Sequence, residues 1–154
     1  MKKVLVLTLL SLLLGGCAGR ESAFQEWKLY LESTPSNAID PQHATALISR
    51  VWEREKDQLI TSMWNRARGA NREDGVAACS ILCTFVTTPA WHESGQSKSV
   101  SGQIDAPALL DHMNSMDTNS LSARWQEIHR FNLESLKQSL LPSAGGDGMP
   151  LPQQ

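Results

Sequence analysis

The 154-residue chain is short of most of the features that announce a chemistry. Tyrosine occurs once, phenylalanine three times and cysteine three times. Charge of one sign never accumulates: 14 lysines and arginines stand against 16 aspartates and glutamates. That balance excludes a basic nucleic-acid footprint, so no nucleic-acid partner is expected. There is no G-x-S-x-G elbow, no phosphate-cradling glycine loop ending in Lys-Ser or Lys-Thr, and no H-E-x-x-H zinc helix. His92-Glu93 lacks the second histidine four residues on. The four histidines, His43, His92, His112 and His129, are scattered, and Asp111-His112 reads as a solvated pair on a helix. No cofactor, no metal and no catalytic residue is expected. No internal repeat is present. Nor does any apolar run reach the roughly 20 residues that cross a bilayer.

What the chain does have begins at its start. Met1-Lys2-Lys3 precedes Val4 to Leu14, a stretch apolar except for Thr8 and Ser11. Two lysines before a short apolar run have the form of an export signal. The run then meets Leu14-Gly15-Gly16-Cys17. Small residues ahead of a cysteine resemble the lipobox of bacterial lipoproteins. That resemblance implies cleavage before Cys17, diacylglycerol on its sulfur and acylation of the new amino group. Ala18 stands where an aspartate would imply retention in the inner membrane. The resemblance therefore implies the outer membrane of a diderm host, with the chain facing the periplasm. Two or three acyl chains hold firmly, whereas one holds marginally. Loss of two lysines with the signal leaves the mature chain more acidic than the net −2 of the whole. The lipid, rather than basic side chains, is then the membrane contact.

The expected division is a signal at 1–16, the lipidated cysteine and a short tether at 17–21, a helical domain at 22–141 and a disordered tail at 142–154. The four residues 18–21 reach about 14 Å when extended, which keeps the domain close to the bilayer. Setting Cys17 aside leaves Cys79 and Cys83. In an oxidising compartment an even remainder invites a disulfide. The spacing resists it: helical residues four apart hold their Cβ atoms about 5–6 Å apart, against roughly 3.5–4.5 Å for a disulfide. The pair is either a candidate disulfide at a distorted turn or two buried thiols on one helical face.

Helical periodicity dominates the mature chain. Ser22 with Gln25 suggests a capping box opening a helix to about Ser33, with Phe24, Trp27 and Leu31 on one face. Trp27 and Tyr30 suit core packing better than a membrane interface. Asp40 and Pro41 open a longer helix. Ala44, Leu47, Ile48, Val51, Trp52, Leu59, Met63 and Ala67 mark its apolar side, and Gly69 stops it, so one helix is expected over 41–68. Residues 71–75 read as a turn ending in Asp74-Gly75. Val76 to Val86 is the most apolar stretch and is expected as a buried helix, although Thr84 to Thr88 has strand-like composition. Residues 90–104 read as a loop. Asp105 caps a helix to about Met116, and Ser120 caps a last one to about Leu140. Such stripes bury only against one another. The expected fold is all-α: a bundle of four or five helices with a long middle loop and a disordered C-terminal tail.

Trp64, Trp91 and His92 are the candidate partner contacts, because Trp64 lies at the edge of its apolar face and Trp91-His92 falls in the loop. The plan resembles, in architecture only, the pilotins and assembly factors of secretion systems, pili and conjugation machines. A non-enzymatic accessory lipoprotein, partnered by the membrane and by an envelope protein, is the leading expectation. The alternatives are an envelope structural or surface-exclusion lipoprotein, and a lipid-anchored envelope enzyme.

Overall fold

A computed structural model describes residues 20–88, 100 and 102–141. Cys17, Trp91, His92, most of the expected middle loop and the expected tail lie outside the described residues. Within them the protein is a small all-α bundle.

Residues 20–33 are helical (α1). Arg20 and Glu21 already lie in this helix, and Gln25 Nε2 donates to Glu21 Oε1 at 2.7 Å. Ser22 is therefore no N-cap, and the helix includes residues 20 and 21, which the sequence reading placed before it. A 3-10 turn, Ser36–Ala38, leads into α2, Pro41–Glu55. Asp40 caps α2 as expected, its side chain accepting from the Gln42 N–H at 2.9 Å, with Pro41 in the first turn. A second 3-10 turn, Lys56–Gln58, separates α2 from α3, Leu59–Ala67. α4 is Arg72–Thr87, α5 Ala106–Ser115 and α6 Ala123–Leu140.

Three further boundaries depart from the sequence reading. The expected helix over 41–68 is broken. Lys56 adopts φ 50° and ψ −127°, and its N–H closes α2 onto the Trp52 carbonyl. On a straight helix Val51, position 55 and Leu59 would lie along one seam, and position 55 is a glutamate. Glu55 is drawn under Arg66 at the break, only 2% exposed. The expected turn at 71–75 is mostly helix: Asn71 caps α4 by accepting from the Asp74 N–H. Gly75 marks close helix crossing rather than a turn, because a Cβ there would sit 3.2 Å from the Ala67 carbonyl oxygen and 3.3 Å from Met116 Cε. The last helix is capped by Ser122, not Ser120.

α4 is the centre of the molecule. It is buried almost all round from Gly75 to Cys83 and again at Phe85, which is why its sequence shows little polar face. It stays helical through Thr87, so the β-branched residues at its end do not form a strand. α3 and α6 flank it, and α5 packs on α4 and α6. α1 docks across it through the Trp27 ring and through Lys28, which reaches Asp74 at 2.7 Å and Glu73 at 3.1 Å. Trp125, Phe24, Phe85, Met63 and Leu109 are fully enclosed. Each such side chain contributes about 1.5–3 kcal/mol by leaving water. Among the described residues no helix is long and apolar enough to cross a membrane.

Candidate functional site

The site is an apolar groove of about 290 Å³ where α1, α2, α4 and α6 meet. Its walls carry Trp27 and Leu31 from α1, Ala44 and Ile48 from α2, and Ile128 and Phe131 from α6. Thr84 lines it from α4, and Ile39 comes from the connection before α2. No ionisable side chain lines it. What polarity it has comes from hydroxyls and one amide: Ser36, Thr45, Ser80, Thr84, Thr88 and Asn132.

Local bonds hold the walls in place. The Trp27 indole N–H donates to Ser80 Oγ at 3.0 Å and to the Ala77 carbonyl at 3.3 Å, which pins α1 to α4. Ser80 Oγ in turn donates to Ala77 at 2.6 Å, so the buried hydroxyl is satisfied. Thr84 Oγ1 turns back to donate to the Ser80 carbonyl at 2.8 Å. Asn132 Nδ2 likewise bonds the Ile128 carbonyl. Ser80, Thr84 and Asn132 each donate within their own helix, and the Trp27 N–H is spent on α4, which leaves a mainly apolar surface.

Arg124, outside the lining, ties together the groove residues Leu31 and Ser36. It donates to the Leu31 carbonyl at 2.9 Å, to the Thr34 carbonyl, to Ser36 Oγ at 2.7 Å and to Glu127 at 2.9 Å. A cation on the last carbonyls of α1 satisfies acceptors that the helix leaves open. The hydrogen bond from Ser36, then that from Arg124, holds the Glu127 carboxyl below its ordinary range. Tyr30 braces the other side: its hydroxyl accepts from the Asp40 N–H at 3.0 Å, and its ring meets His43 edge-on at 4.9 Å.

Phe131 gives the groove its character. It is 63% exposed while its ring borders an apolar recess. Leu29, Leu140 and Leu141 are the other exposed large apolar residues among those described.

Few of the residues expected from sequence fall here. Trp64 is half-buried on α3, packed between the His112 ring (5.7 Å) and the Arg68 guanidinium (4.5 Å), away from the groove. Trp27 and Tyr30 pack into the bundle, as the core reading expected. The structure has the candidate disulfide pair unbridged. Cys79 and Cys83 are free buried thiols one turn apart on α4, where regular helix geometry keeps them separated. Burial pushes the Cys79 thiol up to about 12, and burial followed by its neighbour pushes Cys83 up too. Cys83 Sγ instead lies 3.5 Å from Met113 Sδ. These are packing groups, not nucleophiles.

Phe131, Ile39 and Thr84 were not legible as site residues. Phe131 flanks the apolar seam of its helix, a position that does not by itself set its exposure. Its unusual exposure appears only when the neighbouring helices are in place. No family model, curated protein or solved structure matches the chain.

Proposed function

We propose that this protein is a lipid-anchored accessory factor of the bacterial envelope, holding an apolar segment of a partner protein in the α1–α2–α4–α6 groove. The observation that carries the binding role is the groove itself: apolar walls, no ionisable lining, and Phe131 exposed at its edge. Acid–base or nucleophilic catalysis needs titratable groups converging on one space. A partner's aliphatic side chains need what this groove offers. The anchor rests on the Leu14-Gly15-Gly16-Cys17 resemblance, with Ala18 favouring the outer membrane and a periplasmic orientation. The start of α1 at or before Arg20 supports close placement, because few residues separate Cys17 from the bundle. An assembly or piloting role for a secretion, pilus or conjugation machine suits that arrangement.

The test is photocrosslinking in cells with the crosslinker at position 131, in the wild-type background and with Cys17→Ala. The expected outcome is one envelope-protein adduct and a lipid-sized mass on a chain starting at Cys17. Cys17→Ala should lose both the lipid mass and membrane fractionation. Crosslinking that is equally strong from a control position on the solvent face of α2 would sink the groove assignment. A soluble, unlipidated wild type would sink the anchor.

A further inference from the structure

α2 and α3 are one helix by composition and two by structure. The break spans Glu55-Lys56-Asp57-Gln58, which contains neither glycine nor proline. The apolar seam keeps its helical spacing through it, Val51 leading to Leu59 and Met63. At the break Lys56 takes φ 50°, where a Cβ is disfavoured. Glu55 is buried beside it with Oε1 lacking a hydrogen-bond partner, its nearest cation being Arg66 at 3.7 Å. Arg66 Nε is also buried without a hydrogen-bond partner. The closed hinge is therefore held against local preference.

What holds it is the contact between the two sides of the hinge. Trp27 bonds Ser80, Lys28 pairs with Asp74, Glu21 pairs with Arg66, and Trp52 meets Phe85 edge-on at 6.1 Å. Arg124 caps the end of α1. Each joins α1–α2 to α3–α6 across the break. The bonds within α1–α2, such as Arg50 to Glu26 and Tyr30 to Asp40, travel with that unit.

We infer that a second copy of this chain is a partner, through an exchanged dimer. In it residues 41–67 straighten into one helix, and α1–α2 of each copy packs on α3–α6 of the other. Every contact across the break is then remade between chains, and only hinge contacts differ. Straightening returns Lys56 to helical dihedrals. It also separates Glu55 from Arg66 of the same chain, which lie eleven residues apart, about 16 Å along a straight helix. Each groove of the dimer is built from both chains. The inference does not rest on the anchor or on the proposed partner.

The hinge gives the test its two variants. A β-branched residue is excluded from φ 50° and tolerated in a helix, so Lys56→Val favours the straight form. Glycine accepts φ 50° and disfavours the helix interior, so Lys56→Gly favours the closed monomer. Full-length chain is prepared with natural and with ¹⁵N nitrogen, mixed, unfolded and refolded together in detergent. Light scattering gives the mass, and a carbodiimide joins Lys28 to Asp74 or Glu73 as an amide for peptide mass spectrometry. The Lys56→Val preparation should be shifted at least tenfold toward dimer relative to wild type, with about half its crosslinked pairs carrying mixed isotopes, as random pairing requires. Lys56→Gly should be monomeric with same-isotope pairs only. A monomeric Lys56→Val, or a dimer whose pairs never mix isotopes, overturns the proposal. Should Lys56→Val fail to fold, wild type refolded at high concentration gives the same reading. Mixed-isotope pairs there support the exchange, and same-isotope pairs alone overturn it.

Discussion

His129 shows how one side chain sets a condition on the whole bundle. It lies on α6, 7% exposed, with Nδ1 lacking a hydrogen-bond partner. Burial lowers its pKa from the ordinary 6.5; a bond to the Met113 backbone opposes this, and His112 adds to the lowering. The unfolded chain takes up this proton as the pH falls past 6.5, whereas the folded chain takes it up only lower. Stability from this group is full above pH 6.5 and is lost as the pH falls from there through the lowered folded pKa. Melting temperature should therefore drop between pH 7.5 and pH 5.5, and His129→Leu should flatten that part of the profile. An equal drop in the variant would assign the effect elsewhere. The two thiols of α4 make the opposite case at this scale: burial raises both pKa values, so no thiolate forms near neutral pH to give them a chemical role.

At the scale of the element, α4 sets the geometry for its neighbours. Its close approach to the end of α3 depends on Gly75, whose missing Cβ leaves room for the Ala67 carbonyl. That carbonyl is also held by His112 Nε2 at 3.1 Å, which ties α5 to the same point. Gly75→Val puts a branched side chain where even a Cβ is tight, against backbone that α5 helps to fix. The expected cost is about 1–3 kcal/mol, as for other overpacked cores, read as a shift in the denaturant midpoint with the slope unchanged. A variant as stable as wild type would show that α3 and α4 move apart freely. The α2–α3 break shows the reverse relation. There the neighbours decide the element, and the preference of residues 55–58 for continuous helix is overruled by packing on either side.

For the whole molecule, the groove is what the packing leaves over once the core is filled. Trp27, Ile48 and Ile128 are buried from one side and still face the recess, while Phe131 is 63% exposed among the described residues. An exposed aromatic in that position gains little from folding, so Phe131→Ser should change stability by no more than about 0.5 kcal/mol. The same change should abolish the photocrosslinked adduct when the probe sits at position 39 across the groove. An unchanged adduct would place the partner on another face. A large loss of stability would make Phe131 a structural residue.

Much of the architecture was legible in the residues. Helical spacing marked the elements, Asp40, Asp105 and the strongly apolar run from Val76 to Val86 placed three of them well, and Trp27 read as core. These are local signals: a cap serves the turn beside it, and a periodic stripe needs only one partner to bury against. The export-like start and Cys17 are likewise properties of contiguous sequence. The break at Lys56, the helical placement of Gly75 and the exposure of Phe131 were not legible. Each depends on which helix lies opposite, information that no window of neighbouring residues contains. Trp64 illustrates the same limit, since its His112 and Arg68 partners come together only in the fold. Local sequence determined that the chain is helical, where most helices lie and which faces they bury. Tertiary structure alone decided where one helix breaks and which apolar surface stays uncovered, because both follow from the balance of contacts between segments distant in sequence.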